Sequence, residues 1–340
     1  MFLILVLAAG AAGFWLWQRY AGFADAPLSG LESGESLMVE RGDSLPIVLR
    51  KLREAGASEG EALEWRALAR QLGADGKLQV GEYPLEPGTS PRELLTAMRD
   101  GRVIQRRFTI VEGWNIRELR AALAKATPLE QETAQLDDAA LMKLLGHPGQ
   151  HPEGRFLPET YQYTRGDSDL DLLKRAHEAL ANALAAAWRK RDADTPLKSA
   201  DEMLVLASIV EKETGIASER PQIAGLFERR LKIGMRLQTD PTVIYGIGPT
   251  YDGNIRKRDL LTDTPYNTYT RAGLPPTPIA MVGVDALNAV AKPAPGEHLY
   301  FVAMGDGSGR HLFAKTLAEH EANVRAYLQK YRAAQSQGAQ

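Results

Sequence analysis

The chain has 340 residues, with 41 Lys and Arg against 43 Asp and Glu and a formal net charge of -2. That balance supplies no overall basic face, so a nucleic-acid partner is not expected, and 44% hydrophobic with 25% charged residues excludes wholesale disorder. The absence of cysteine excludes a disulfide scaffold, a thiolate zinc site, a cysteine nucleophile and a lipid-modified N-terminal cysteine.

The length exceeds one average core and predicts two domains plus a tail. Residues Met1–Trp17 carry no charged side chain. As a helix they would extend roughly 26 Å, near the lower limit for a bilayer core. Trp15, Trp17 and Tyr20 stand where an interfacial aromatic belt would lie. A cleaved signal peptide is the alternative, since Ala8–Ala11 supplies small residues, but no Lys or Arg precedes the apolar run. The flanking charges leave the orientation open. Ala21–Ser36 lacks a hydrophobic period and reads as a linker.

A small α+β module follows. Ser36–Glu40 is strand-like, Arg41–Ser44 a turn with Ser44 as a helix cap, and Ile47, Val48, Leu52 and Ala55 keep helical spacing up to Gly56. A second helix is predicted over Gly60–Leu72, a strand over Leu78–Leu85, and a third helix from Thr89 or Ser90 to Gly101 with Pro91 in its first turn.

Beyond it, Phe108–Val111 reads as a strand, and helices are predicted through Leu119 and Leu123 and over Asp137–Leu145. His147 and His151 fall in a Pro/Gly loop where their spacing does not make a metal site. Asp171–Arg189 is amphipathic, with Leu173, Leu180, Leu184 and Trp188 on one face. Further helices are expected over Glu202–Glu213, Pro221–Ile233 and Val284–Val290, with turns from Tyr245 to Asn267. Leu299–Met304 and His311–Phe313 form a hairpin around Gly305–Gly309, whose glycines lack the following helix of a phosphate loop. Thr316 and Glu319 make a capping box for a last helix, and the final eight residues should fray.

The helix over Glu202–Glu213 contains MLVLASIV and then Glu-Lys-Glu. Its apolar residues point in every direction, which marks a buried helix. Glu211 continues the stripe of Leu204, Ala207 and Ser208, whereas Glu213 points to roughly the opposite side. A carboxyl held against an apolar wall has its pKa raised, and a raised carboxylic acid can protonate a glycosidic oxygen. The alternative is an ordinary helix end with both acids solvated and Lys212 pairing one of them. Downstream, Gln238, Thr239 and Asp240, then Tyr266, Asn267 and Tyr269, gather tyrosine faces, amides and hydroxyls suited to sugar rings and acetamido groups.

Four segments carry a family resemblance: ASIVEKETGIASER (Ala207–Arg220), RLKIGMRLQTDPTVIYG (Arg230–Gly246), TPYNTYTRAGLPPTPI (Thr264–Ile279) and the tail LYFVAMGDGSGRHLFAKTLAEH. With EGRFLPETYQY (Glu153–Tyr163) and FTIVEGW upstream, the chain resembles the endolytic murein transglycosylases of the MltG/YceG type. The resemblance implies an α+β chain with a transmembrane anchor (1–18), a linker (19–36), a LysM-like domain (37–101), a mixed α/β catalytic domain (102–332) and a frayed tail (333–340). It implies a lyase without cofactor or metal that cuts nascent peptidoglycan strands between N-acetylmuramate and N-acetylglucosamine, leaving 1,6-anhydromuramyl ends. It also implies a single pass through the cytoplasmic membrane, a catalytic domain on the outer face, and peptidoglycan synthases as partners. It places the catalytic glutamate on Glu211, with Gln238, Thr239, Asp240, Tyr266, Asn267 and Tyr269 as substrate-binding residues. Two other readings stand beside it: a hydrolase pairing Glu211 with Asp240, and a non-catalytic glycan-binding scaffold.

Overall fold

The computed structural model describes residues 2–338 other than 33 and 59. It is an α+β structure whose described strands form three two-stranded sheets. The chain divides into two compact units, the first comprising Met1–Arg107, Thr127–Glu130 and Gln162–Asp167 and the second the remainder.

The first unit opens with helix α1 (Phe2–Asp25). Among the described residues no helix is long and apolar enough to cross a membrane. The expected anchor is thus a helix that runs past residue 18, and the expected linker begins inside it. The cause is packing. Phe23 meets Trp65 edge to face at 5.3 Å, Ala24, Leu28 and Leu31 are buried, and Arg92 donates to Asp25 at 2.6 Å. Gly30 and Gly56, both at positive φ, approach so closely that a Cβ on either would collide with the carbonyl of the other. The stretch read as a linker is thus fastened to the core at Ala24, Leu28 and Leu31, while most of its other residues are exposed.

Strand β1 (Glu35–Val39) pairs antiparallel with β2 (Gly81–Leu85), from Glu35 opposite Leu85 to Val39 opposite Gly81. Helices α2 (Leu45–Glu54) and α3 (Ala62–Gln71) lie between them in sequence, and α4 (Pro91–Asp100) follows. Alternation places Leu37, Val39, Tyr83 and Leu85 inward, where Val48, Leu52, Leu68, Leu94 and Met98 close the core. Helix α4 begins in a reciprocal Ser90–Glu93 capping box and ends at Gly101 with φ 68°, which an L side chain would adopt only with strain.

One acid in this unit is buried yet ionised. Glu82 is 2% exposed and meets Arg106 at 2.7 Å, Arg165 at 3.1 Å and Ser36 at 2.7 Å. Burial alone would raise its pKa, but the bonds from Arg165, Arg106 and Ser36 outweigh it and hold the carboxyl at about 2. A lowered carboxylate contributes stability that is present above its unfolded pKa and disappears as pH falls toward the folded one. The denaturation midpoint of the first unit is expected to fall between about pH 4.5 and 2, and Glu82→Gln to flatten that dependence. Circular dichroism melts across this range check it, and an equally steep dependence in Glu82→Gln would contradict it.

Strand β3 (Arg106–Thr109), where the chain leaves the first unit for the second, starts and ends two residues before the expected strand. It pairs with β4 (Thr160–Tyr163), which the sequence reading did not separate from its loop although Tyr161 and Tyr163 alternate inward. Helices α5 (Ile116–Leu123), α6 (Asp138–Leu144) and α7 (Asp169–Lys190) form near their predicted places. The centre is α8 (Ala200–Glu213), in which every residue from Met203 to Val210 is buried. It packs against α7, α9 (Arg220–Lys232), α10 (Asp240–Ile247) and α12 (Val284–Ala291). The region expected to be turns, Tyr245–Asn267, contains the end of α10 and the short α11 (Lys257–Leu261). Strands β5 (Tyr300–Ala303) and β6 (His311–Ala314) form the expected hairpin. The last helix, α13, runs from Leu317 to Gly338, so the tail expected to fray from 333 is helical that far; residues 339–340 lie outside the described residues.

Candidate active site

Helix α8 delivers two carboxylates to its C-terminal end, and the structure gives them different surroundings. The Glu211 side chain is 4% exposed. One oxygen meets Arg220 Nη2 at 3.2 Å and the other accepts the Gly283 N–H at 3.0 Å. Arg220 also faces Glu112 and Asp285, each at 3.5 Å. A Cβ on Gly283 would collide with the Glu112 carboxylate, so glycine lets this backbone donor reach Glu211. Burial raises the Glu211 pKa, helped by Glu112 and opposed by the Gly283 N–H and Arg220. Both of its oxygens are thus engaged by the protein, in an ion-pair cluster whose outer members, Glu112 and Asp285, are exposed.

Glu213 lies on the other side, as the helical rotation of about 200° between the two acids requires. It lines a cleft of about 430 Å³ with Gln238, Thr239, Asp240, Tyr269, Arg230 and His320. Thr239 Oγ1 donates to its Oε1. Burial, with Asp240 adding, pushes its carboxyl up to about 7 against the Thr239 bond and the charges of His311 and Arg230. Tyr269 donates to Asp240 at 2.5 Å, fixing the second acid of this cleft at its rim. Thr268 Oγ1 accepts from the Thr239 N–H at 3.1 Å and lies 2.9 Å from Thr242 Oγ1, which sets the chain entering α10. Gln238 has φ 49°, a left-handed conformation that costs a non-glycine residue energy and clusters at functional sites.

Of the expected substrate-binding residues, the fold brings Gln238, Thr239, Asp240 and Tyr269 to the Glu213 cleft. Two others lie elsewhere. Asn267 is 1% exposed, and its amide donates to the carbonyls of Asp259, Leu260 and Thr262, so it holds the α11 loop and its side chain is unavailable to a substrate. Tyr266 packs at 4.8 Å against Tyr245 and is 2.8 Å from Thr277 Oγ1. The expected association of these residues with Glu211 is therefore corrected: four of them surround Glu213, because Glu211 faces the Arg220 cluster.

Sequence reading missed Arg230, Tyr300 and His320, which come to the cleft from α9, β5 and α13. His320 stacks on Tyr300 at 5.3 Å. No local pattern links these residues, since only tertiary packing joins them. It also missed Glu153, a fully buried carboxyl raised to about 7 by burial. Glu153 accepts from Ile116 N–H at 3.1 Å and from Tyr245 Oη at 2.9 Å. Those bonds tie the start of α5 to α10.

A carboxyl raised toward neutrality at a helix end, facing a cleft of hydroxyls, amides and aromatic rings, has the groups that acid–base chemistry on a polar, ring-bearing ligand requires. The chain belongs to the YceG-like family, whose model matches residues 37–326. It is 29% identical over 310 residues to the endolytic murein transglycosylase of Bacillus subtilis, covering 86% of this chain and 84% of that protein. An endolytic murein transglycosylase of Streptococcus pneumoniae is 28% identical over 211 residues, 60% of this chain and 36% of the relative. The crystal structure of a YceG-like protein from Listeria monocytogenes superposes with a TM-score of 0.54 at 26% identity, covering 85% of this chain and 98% of that one.

Proposed function

We propose that this chain is an endolytic murein transglycosylase that cuts peptidoglycan strands between N-acetylmuramate and N-acetylglucosamine, with Glu213 as its acid and base. The observation that carries the residue assignment is the contrast between the two acids of α8. Glu211 has both oxygens committed to Arg220 and Gly283, whereas Glu213 faces the polar cleft with its pKa pushed to about 7.

The chemistry follows from that position. Protonated Glu213 donates to the glycosidic oxygen as the bond to the muramyl anomeric carbon breaks. The resulting carboxylate accepts the proton of the muramyl 6-hydroxyl, whose oxygen closes on the anomeric carbon to give the 1,6-anhydro ring. A group near neutrality serves both steps well, since it is a usable acid and a usable base. A water-activating second carboxylate, as in inverting hydrolases, is not required. Thr239 holds Glu213 in place, and Gln238, Asp240 and Tyr269 offer hydrogen bonds and a ring face to the sugars.

Cleavage in oxygen-18 water tests the reaction class. The lyase leaves no label in the new anhydro end, while a hydrolase inserts one labelled oxygen at each cut. A pH profile tests the residue: since the first step needs the protonated acid, kcat/KM is expected to fall as pH rises through about 7. A profile flat from pH 5 to 9 would contradict it.

The membrane-anchored reading of α1 belongs to this proposal. Ile4, Val6, Leu7, Phe14, Trp15 and Trp17 are large, apolar and exposed, a pattern that marks a buried interaction surface in the working protein. We assign that surface to the cytoplasmic membrane, with the second unit on its outer face beside the strand-making synthases. The βααβ order of the first unit supports a LysM-like, glycan-contacting role for it.

A further inference from the structure

The second unit holds another cleft, of about 660 Å³, which the proposed reaction leaves unused. Its walls are the start of α5, the end of α8 and the outer face of α10, through Arg117, Lys212, Ile244, Tyr245, Tyr251 and Ile279. Most of that wall is apolar or aromatic, yet it carries two exposed cations. Lys212 Nζ donates to the Gly113 carbonyl at 3.1 Å, and the Arg117 guanidinium lies 5.8 Å over the Tyr245 ring. Neither cation has a carboxylate within ion-pair distance among the described residues, in contrast to Arg220 with its three acids. The one acid on the wall, Glu118, is turned back to the Asn115 N–H at 2.7 Å. Glu153, beneath Tyr245, is committed to backbone N–H groups and to the tyrosine.

The two clefts share walls. Lys212 faces this one and its neighbour Glu213 the other; Pro241 faces this one and its neighbour Asp240 the other. Consecutive Cα atoms are about 3.8 Å apart, so the two clefts border the same turns of α8 and α10.

We propose that this second cleft binds an acidic peptide, with Arg117 and Lys212 holding its carboxylates and Tyr245, Tyr251 and Ile244 covering its apolar side chains. On the murein-strand reading, which this inference deepens, the peptide is the one attached to the lactyl group of the muramyl residue being cut. Charge complementarity selects the occupant. Two unpaired cations over an apolar floor suit a carboxylate-bearing chain, whereas a neutral glycan would leave both cations unanswered. The cleft therefore makes the enzyme discriminate between strands that keep their peptides and strands that have lost them.

Two measurements on the full chain test this separately from the lyase reading. In the first, a synthetic tripeptide, L-alanyl-γ-D-glutamyl-L-lysine, is titrated by calorimetry beside its fully amidated form. The free acid is expected to bind at least about fivefold more tightly than the amide, and Arg117→Ala and Lys212→Gln to remove most of that difference. Equal binding of acid and amide, absence of binding, or unchanged binding in both variants would overturn the proposal. In the second, strands with and without peptides are compared as substrates. The wild type is expected to favour peptide-bearing strands by roughly tenfold in kcat/KM, and Arg117→Ala to bring that ratio close to one. A wild-type ratio of one, or a ratio untouched by Arg117→Ala, would overturn it. Failure to cut either kind of strand would count against the lyase reading alone, and the calorimetry would still decide the cleft.

Discussion

Replacing Glu213 by glutamine is expected to slow strand cleavage by about 10³-fold while leaving the fold intact. Glutamine keeps the length of the side chain and an oxygen to accept the Thr239 hydroxyl, but it has no proton to give to a leaving sugar and cannot take one back. The loss should appear in kcat, because the proton transfer exists only on the way to the transition state. Binding of strands should be nearly unchanged, since Gln238, Asp240 and Tyr269 still line the cleft. Steady-state kinetics with a separate binding measurement check this, and a variant retaining a tenth or more of the wild-type rate would contradict it.

Replacing Arg220 by alanine is expected to have the largest effect on stability. Its guanidinium, 10% exposed, is the counter-ion of Glu211, 4% exposed, and faces Glu112 and Asp285 as well. Removing one member of a buried pair strands the other without solvent or partner, at a cost of about 3–5 kcal/mol. Glu211 would then be forced toward its neutral form, the direction in which burial already pushes it. The double variant Arg220→Ala with Glu211→Gln should recover part of the loss, because the stranded charge is gone. Urea denaturation of the two variants checks this, and equal destabilisation by the single and double changes would contradict the ion-pair role of Glu211.

These two expectations separate residues that sequence alone treats alike. Glu211 and Glu213 flank the same lysine at the end of the same apolar helix. Periodicity shows that they diverge, and it correctly marks the helix as buried. It does not show which side is open, because the closing groups come from far along the chain. Arg220 follows nine residues later across a turn, and Gly283 stands 72 residues away on the loop before α12. The small, apolar stripe under Glu211 was read as the wall of a site; it is the inner face of the helix, where Ser208 Oγ accepts the Ile279 N–H at 3.0 Å.

The first unit was more legible because its signals are local. Ser90, Pro91 and Gly101 bound α4 where they were expected to, and the alternation of Leu37 and Val39 places β1. The linker reading did not register the packing of Phe23, Ala24, Leu28 and Leu31 on the core, because these few apolar residues stand among Gly, Ser, Asp and Pro residues that dominate the stretch. Helix α10 was hidden for another reason: Asp240 and Pro241 in its first turn look like a turn, although proline there is compatible with a helix start. Its position matters, since its two faces form walls of both clefts.

The most direct test of the whole account is product analysis by mass spectrometry of uncrosslinked nascent strands incubated with the full chain, with Glu211→Gln and with Glu213→Gln, each first confirmed folded by circular dichroism. The account predicts 1,6-anhydromuramyl ends from the wild type and from Glu211→Gln, and intact strands with Glu213→Gln. Anhydro ends from Glu213→Gln at the wild-type rate, with none from a folded Glu211→Gln, would contradict it and return the acid–base role to Glu211.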